Sequence, residues 1–133
     1  MSANDSMICL VVHGRVPSKK NSKRIMRSKS GRTLVLPSKN HQEWVRGAIL
    51  ELKSATYGLE TIKVAQHVDL VFYSPDKRKY DLTNKAESIM DALVDAGILL
   101  DDNYEVVPDL HLVHGGLDRK NPRCEIKIGI STE

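Results

Sequence analysis

The stretch Asp81-Leu-Thr-Asn84-Lys-Ala-Glu87-Ser-Ile-Met-Asp91-Ala-Leu-Val-Asp95-Ala-Gly97-Ile-Leu-Leu-Asp101-Asp102 decides how the chain folds. Ala86, Ile89, Met90, Leu93 and Val94 recur at three- and four-residue spacing, which gathers them into one apolar stripe of a helix. The helix is predicted from about Asn84 to Ala96, with Gly97 as the left-handed residue that ends it. A helix with a single apolar stripe must bury it against another element, and the flanking segments supply a sheet.

On the N-terminal side, Val64 to Tyr73 alternates, with Val68, Leu70 and Phe72 on one face, and Ser74-Pro75-Asp76 closes it. Further upstream, Trp44, Val45, Ala48, Ile49 and Leu52 recur at helical spacing between Pro37-Ser38 and Gly58, which predicts another helix with Trp44 in the core. Ile25-Met26 and Thr33 to Leu36 flank Ser28-Lys-Ser-Gly-Arg and read as a hairpin turning at Ser30-Gly31. Ile8 to His13, rich in Val and ended by Gly14, reads as a central strand. On the C-terminal side, Val106 to Val113 and Cys124 to Ile130 read as strands, Pro108 pointing to an edge position or a bulge. Strand, hairpin, helix, strand, helix, strand, strand is the order of an α/β (α+β) chain. The expectation is one small domain over residues 1–133, a mixed β-sheet with two main helices packed on it.

Composition agrees. A chain of 133 residues with 41% hydrophobic and 28% charged residues fits one soluble core, and excludes wholesale disorder and coiled coil. No apolar run approaches the roughly 20 residues of a membrane span, and the first residues lack a signal-peptide pattern, so the expectation is a cytoplasmic protein with no membrane partner. Cys9 and Cys124 lie in apolar alternating segments without metal-ligand spacing and are expected to be buried thiols. The five histidines, His13, His41, His67, His111 and His114, form no metal or triad spacing and read as structural or surface residues.

Charge is segregated along the chain. No acid occurs between Asp5 and Glu43, where Arg15, Lys19, Lys20, Lys23, Arg24, Arg27, Lys29, Arg32 and Lys39 are all basic. From Asp81 to Asp109 the bias reverses, with Asp81, Glu87, Asp91, Asp95, Asp101, Asp102, Glu105 and Asp109. A basic stretch is the electrostatic footprint of a polyanion partner. The acids are what a protein that merely gripped DNA would not place near phosphates.

Glu87 and Asp91 are four apart, so they share one side of the helix, with Asn84 one turn earlier. Like charges at this spacing repel by a few tenths of a kcal/mol in an isolated helix, and a hard divalent cation reverses the sign. Asp101 and Asp102 add oxygen donors after the helix, and Lys77-Arg78-Lys79 precedes it. Taken singly, a capping box between Asn84 and Glu87 and a polar turn at Asp101-Asp102 are equally good readings. Together they leave the clustering of acids around one helix unexplained.

The run from Asp81 to Asp102 resembles the signature of the RusA-like Holliday junction resolvases, a family common in prophages: an Asp-x-Asp-Asn opening, a Lys, Asp-Ala-Leu, a Gly and a closing Asp-Asp. Val16-Pro-Ser-Lys-Lys-Asn21 is similar to the family's early Pro/Ser/Asn loop. The resemblance implies a RusA-like fold and a homodimeric, Mg²⁺-dependent endonuclease, Mn²⁺ being the alternative metal, that makes paired incisions across a four-way DNA junction. It implies a bacterial or phage origin. Asp81 matches the first catalytic Asp and Asp102 the closing one; Asn84 and Asp91 match as well. Two positions depart: the second catalytic Asp falls on Thr83 and an important Lys falls on Glu87. A variant site follows, with Asp81, Glu87, Asp101 and Asp102 as metal ligands, Asp91 alongside, and Lys85 as the cation offsetting charge on the phosphate.

In this reading phosphate contacts come from Lys19, Lys20, Asn21, Lys23, Arg24, Arg27, Lys29 and Arg32, and from Lys77, Arg78 and Lys79; they position DNA and read no sequence. Five per cent aromatic residues disfavour base stacking. The near two-fold symmetry of a junction suits a two-fold homodimer. Three alternatives stand beside it: a junction binder of the same fold that has lost its chemistry, a nuclease for branched DNA in phage genome processing, and a protein-interaction module with solvated charge runs.

Overall fold

A computed structural model describes residues 5–19 and 23–131, with the side chains of residues 5, 23–26 and 34–37 left out of the description. Six strands and two helices follow one another as β1 (Asp5–His13), β2 (Lys23–Arg27), β3 (Thr33–Pro37), α1 (Lys39–Ala55), β4 (His67–Ser74), α2 (Leu82–Asp95), β5 (Leu110–Leu117) and β6 (Arg123–Ser131). The main sheet has the order β1-β6-β4-β5, and β2 with β3 forms a separate hairpin. β6 runs antiparallel to both β1 and β4, whereas β4 and β5 are parallel, so the sheet is mixed as expected. The parallel pair requires a crossover, and α2 provides it.

The alternation read in β4 is the packing pattern: Val68, Leu70 and Phe72 are buried and the residues between them half-buried. With Leu10 and Val12 of β1 and Cys124, Ile126 and Ile128 of β6, they make the sheet side of the core. Ala86, Ile89, Met90 and Leu93 of α2 and Ala48 and Leu52 of α1 cover them. Trp44 packs against the rim of this core, half-buried. Ser38 caps α1, its hydroxyl accepting from the His41 backbone N–H, and Gly97 takes φ 78° just beyond α2.

Three expectations need correction. β1 lies at the sheet edge and pairs with β6 alone; Leu10 and Val12 are buried and Ile8 packs against the core on the same face, while Met7 on the other face is half-exposed. For the same period-2 reason Cys9 is exposed; only Cys124 is buried, and burial pushes its thiol up to about 12. Val106 and Val107 are buried in a turn and precede the strand, which starts at Leu110. Asn103 builds that turn, its side-chain oxygen accepting the Glu105 and Val106 N–H groups, and Pro108 then supplies no N–H for a ladder. β5 is the other edge strand, in keeping with Pro108 just before it.

Leu93 is fully buried where α2 meets the sheet. Leu93→Ala is expected to lower stability by about 2–5 kcal/mol. Urea unfolding checks this as a lower midpoint at unchanged slope.

Candidate functional site

Three segments meet along the exposed side of α2. The first is the loop leaving β1, residues 14–19, which lies across the helix. Arg15 pairs with Asp76, Val16 is buried, the Pro17 carbonyl accepts from Ser88 Oγ at 2.8 Å, and Lys19 Nζ donates to Asp91. The second is the link from β4 to α2, which carries Asp76, Lys77, Arg78, Lys79 and Tyr80. The third is the turn after α2, with Asp101, Asp102 and Asn103.

The Lys19 ammonium meets the acidic face of α2 at Asp91, and the charges of Glu87 and Asp102 act on it through space. The hydrogen bond to Asp91, with the charges of Asp91, Glu87 and Asp102, holds the ammonium above the usual lysine range, against the opposing effect of partial burial. Partial burial, a hydrogen bond with Asp101, and the charges of Asp101 and Asp91 raise the Asp102 carboxyl above its ordinary value. Asp101 also accepts the Asp102 backbone N–H at 2.7 Å and the Asn103 amide at 3.1 Å. Asp81 sits at the N-cap of α2, where Asn84 Nδ2 donates to its carboxylate at 3.0 Å. Asp81 and Asn84 line a groove of about 870 Å³, together with Ser18, the Lys77-Arg78-Lys79 run, Tyr80 and His114.

Among the described residues, no three Asp, Glu, His or Cys side chains stand close enough to hold one metal ion as they are. The donor chemistry nevertheless fits a hard divalent cation. Glu87, Asp91 and Asp102 offer only oxygen, and Asp91 already holds a positive charge in the form of Lys19 Nζ.

Lys85 stands apart from this cluster. It is two residues from Glu87, about 200° around the helix, and it is buried with its ammonium 4.3 Å from the centre of the Tyr80 ring. Burial and the charge of Arg15 lower its pKa, with Asp76 opposing. Tyr80 in turn hydrogen-bonds His114 Nδ1. Arg27, Lys29, Arg32, Lys77, Arg78 and Lys79 are exposed, as a phosphate-binding surface requires. Lys20 and Asn21 lie outside the described residues, as do the side chains of Lys23 and Arg24. Lys19, expected to contact phosphate, pairs with Asp91.

Two site residues were not legible in the sequence. Arg15 had the company of other cations but no sign that it would lock the Asp76 loop. His41 lies on the first turn of α1 within electrostatic reach of Asp91 and Lys19; burial holds its imidazole below the usual range, and its Nδ1 is buried without a hydrogen-bond partner. Only the packing of α1 against α2 brings it there.

Fold and site together define a small α+β domain with an acidic helix beside a basic groove. No family model matches the chain. Over 92 residues, 69% of this chain and 69% of the relative, it is 30% identical to the crossover junction endodeoxyribonuclease RusA of Aquifex aeolicus. The chain belongs to the RusA-like family. Among the described residues, no helix is long and apolar enough to cross a membrane.

The raised Asp102 carboxyl has a sign. The native state holds its proton more tightly than the unfolded chain, so stability falls as pH rises from the ordinary value of 3.8 through the raised one. Asp102→Asn is therefore expected to raise the melting temperature of the metal-free protein at pH 7, with the gain vanishing near pH 3. Thermal unfolding followed by circular dichroism at both pH values checks it.

Proposed function

We propose that this chain is a divalent-metal-dependent endodeoxyribonuclease that resolves four-way DNA junctions by paired phosphodiester hydrolysis. What supports the reading is the relation of the chain to a crossover junction endodeoxyribonuclease, together with the acidic face of α2 beside a groove edged by Lys77, Arg78 and Lys79. Glu87, Asp91 and Asp102 would hold the ion, with Asp101 supporting Asp102, and Asp81 serving from the adjoining groove. Such an ion, Mg²⁺ or Mn²⁺, activates water and neutralises charge on phosphate oxygens when bound.

The protein's own groups do the rest. Lys77, Arg78 and Lys79 grip the DNA backbone at the groove, and the Arg15–Asp76 pair fixes the loop that carries them. Arg27, Lys29 and Arg32 extend that grip to a second junction arm. Lys85, held under Tyr80, contributes positive potential to the groove wall without touching phosphate. Glu87 replaces, one turn along the helix, the carboxylate that Thr83 lacks. A homodimer presents two such sites to the two symmetric strands of a junction, in the cytoplasm where the DNA lies.

A specific observation favours a second reading, a junction binder without chemistry: Thr83 stands at a family catalytic position, and Lys19 already neutralises Asp91. An end-labelled mobile four-way junction, incubated with and without Mg²⁺ or Mn²⁺ beside fork and flap substrates, separates the two. Paired symmetric nicks, lost in Asp102→Asn and reduced about 100-fold or more in Glu87→Gln, are expected, the scale of removing one electrostatic group from a preorganised site. Tight binding without nicks establishes the binder, and equal cutting of forks and flaps a broader branched-DNA nuclease. Lys77→Ala and Lys79→Ala are each expected to lower the salt dependence of junction binding, log Kd against log salt, by about one phosphate contact.

A further inference from the structure

We propose that the open edge of β5 pairs antiparallel with β5 of a second copy, joining two four-stranded sheets into one and setting each strand against the basic groove of the other copy. The inference rests on the reading above for the need of two sites, and gives its homodimer a surface.

The strand itself carries the argument. β5 pairs with β4 on one side and, among the described residues, with no strand on the other, so a row of N–H and C=O groups along Leu110–Leu117 faces outward. Edges of this kind are ordinarily blunted by lysine, proline or a covering element. The sequence of β5, Leu-His-Leu-Val-His-Gly-Gly-Leu, contains no Lys, Arg, Asp, Glu or Pro. Leu110, Val113 and Leu117 stand 42%, 48% and 46% exposed along it. The opposite edge is built differently. α1 lies against β1, where the Glu51 carboxylate accepts the His13 backbone N–H at 2.7 Å and pairs with the His13 ring at 2.8 Å. The sheet is therefore guarded at β1 and open at β5.

A second copy is the occupant that fits. An uncharged edge has little with which to select a foreign strand, whereas two copies of one strand run antiparallel match each donor with an acceptor. Such a contact is isologous and closes at two, and the guarded β1 edge keeps the sheet from growing further. The ladder between β4 and β5 is regular from Leu110 to His114 and shifts beyond it. Pairing over that regular stretch sets Leu110 of the partner subunit beside His114, which lines the groove together with Tyr80 and Leu117. Each groove gains a wall from the other copy, and the two grooves lie on either side of the two-fold axis.

Light scattering on the full chain at micromolar concentration is expected to give twice the mass of one chain. Val113 lies opposite Val71, out of step with the core residues Leu70 and Phe72, so a charge there leaves the core intact. Val113→Lys is expected to raise the dimer Kd roughly tenfold or more by placing like charges near the axis, and Met7→Lys on β1 to leave it unchanged. Hydrogen exchange gives a readout that needs no variant: outward amides of Leu110–His114 are expected to be protected in concentrated wild type and to lose protection on dilution, with β1 amides unchanged. A monomeric wild type, a Val113→Lys dimer as tight as the wild type, or exchange in β5 that ignores concentration overturns the pairing. Junction cleavage is read separately. Cutting by a protein whose β5 edge stays open overturns this surface and leaves the nuclease reading standing, and an edge-paired dimer that never cuts does the reverse.

Discussion

The seating of α2 on the sheet is the constraint on which the candidate site depends. Ala86, Ile89, Met90 and Leu93 are withdrawn against the sheet, and once that stripe is set, the 100° step of the helix determines where Glu87 and Asp91 emerge. Ser88 lies at the boundary between the two faces. Its hydroxyl, buried to 2% exposure, finds the Pro17 carbonyl across 71 residues of sequence. An unpaired hydroxyl at that depth would cost about 1–3 kcal/mol, so this bond both satisfies α2 and pins the strap that carries Lys19.

The segregation of charge along the chain becomes a pairing in space. The strap from the basic half meets acids at both ends, Arg15 with Asp76 and Lys19 with Asp91. These pairs are half-exposed and contribute little to stability individually; their effect is to place a loop. Basic residues away from the strap, Arg27, Lys29, Arg32 and the Lys77-Arg78-Lys79 run, stay exposed and available to a polyanion. The acidic cluster itself opposes folding, as the raised Asp102 carboxyl indicates, and gathering like charges in this way is the ordinary cost of a site that binds cations.

Much of the architecture was legible because it is written locally. The stripe Ala86–Ile89–Met90–Leu93 and Gly97 marked α2, Ser30-Gly31 marked the hairpin, and the alternation of Val68, Leu70 and Phe72 marked β4. Each of these signals acts over a few residues. The errors came where a local signal had to stand for a distant one. An apolar run from Ile8 to His13 reads the same in a central strand and in an edge strand with one solvated face, and Val106 and Val107 have strand-like side chains but a turn built by Asn103.

For the site, the sequence by itself determined the inventory and its order: Glu87 and Asp91 on one helical face, Asp101 and Asp102 after it, and two cationic runs ahead of it. Helical periodicity is enough for that, since it relates residues a turn apart. Tertiary structure alone decided which charges meet. It brought Lys19 to Asp91, turned Lys85 under Tyr80, and set His41 beside the cluster from another helix. Electrostatic partners are chosen by distance through space, and that distance depends on how α1, α2 and the β1 loop pack, a property of the whole core that no short stretch of sequence encodes.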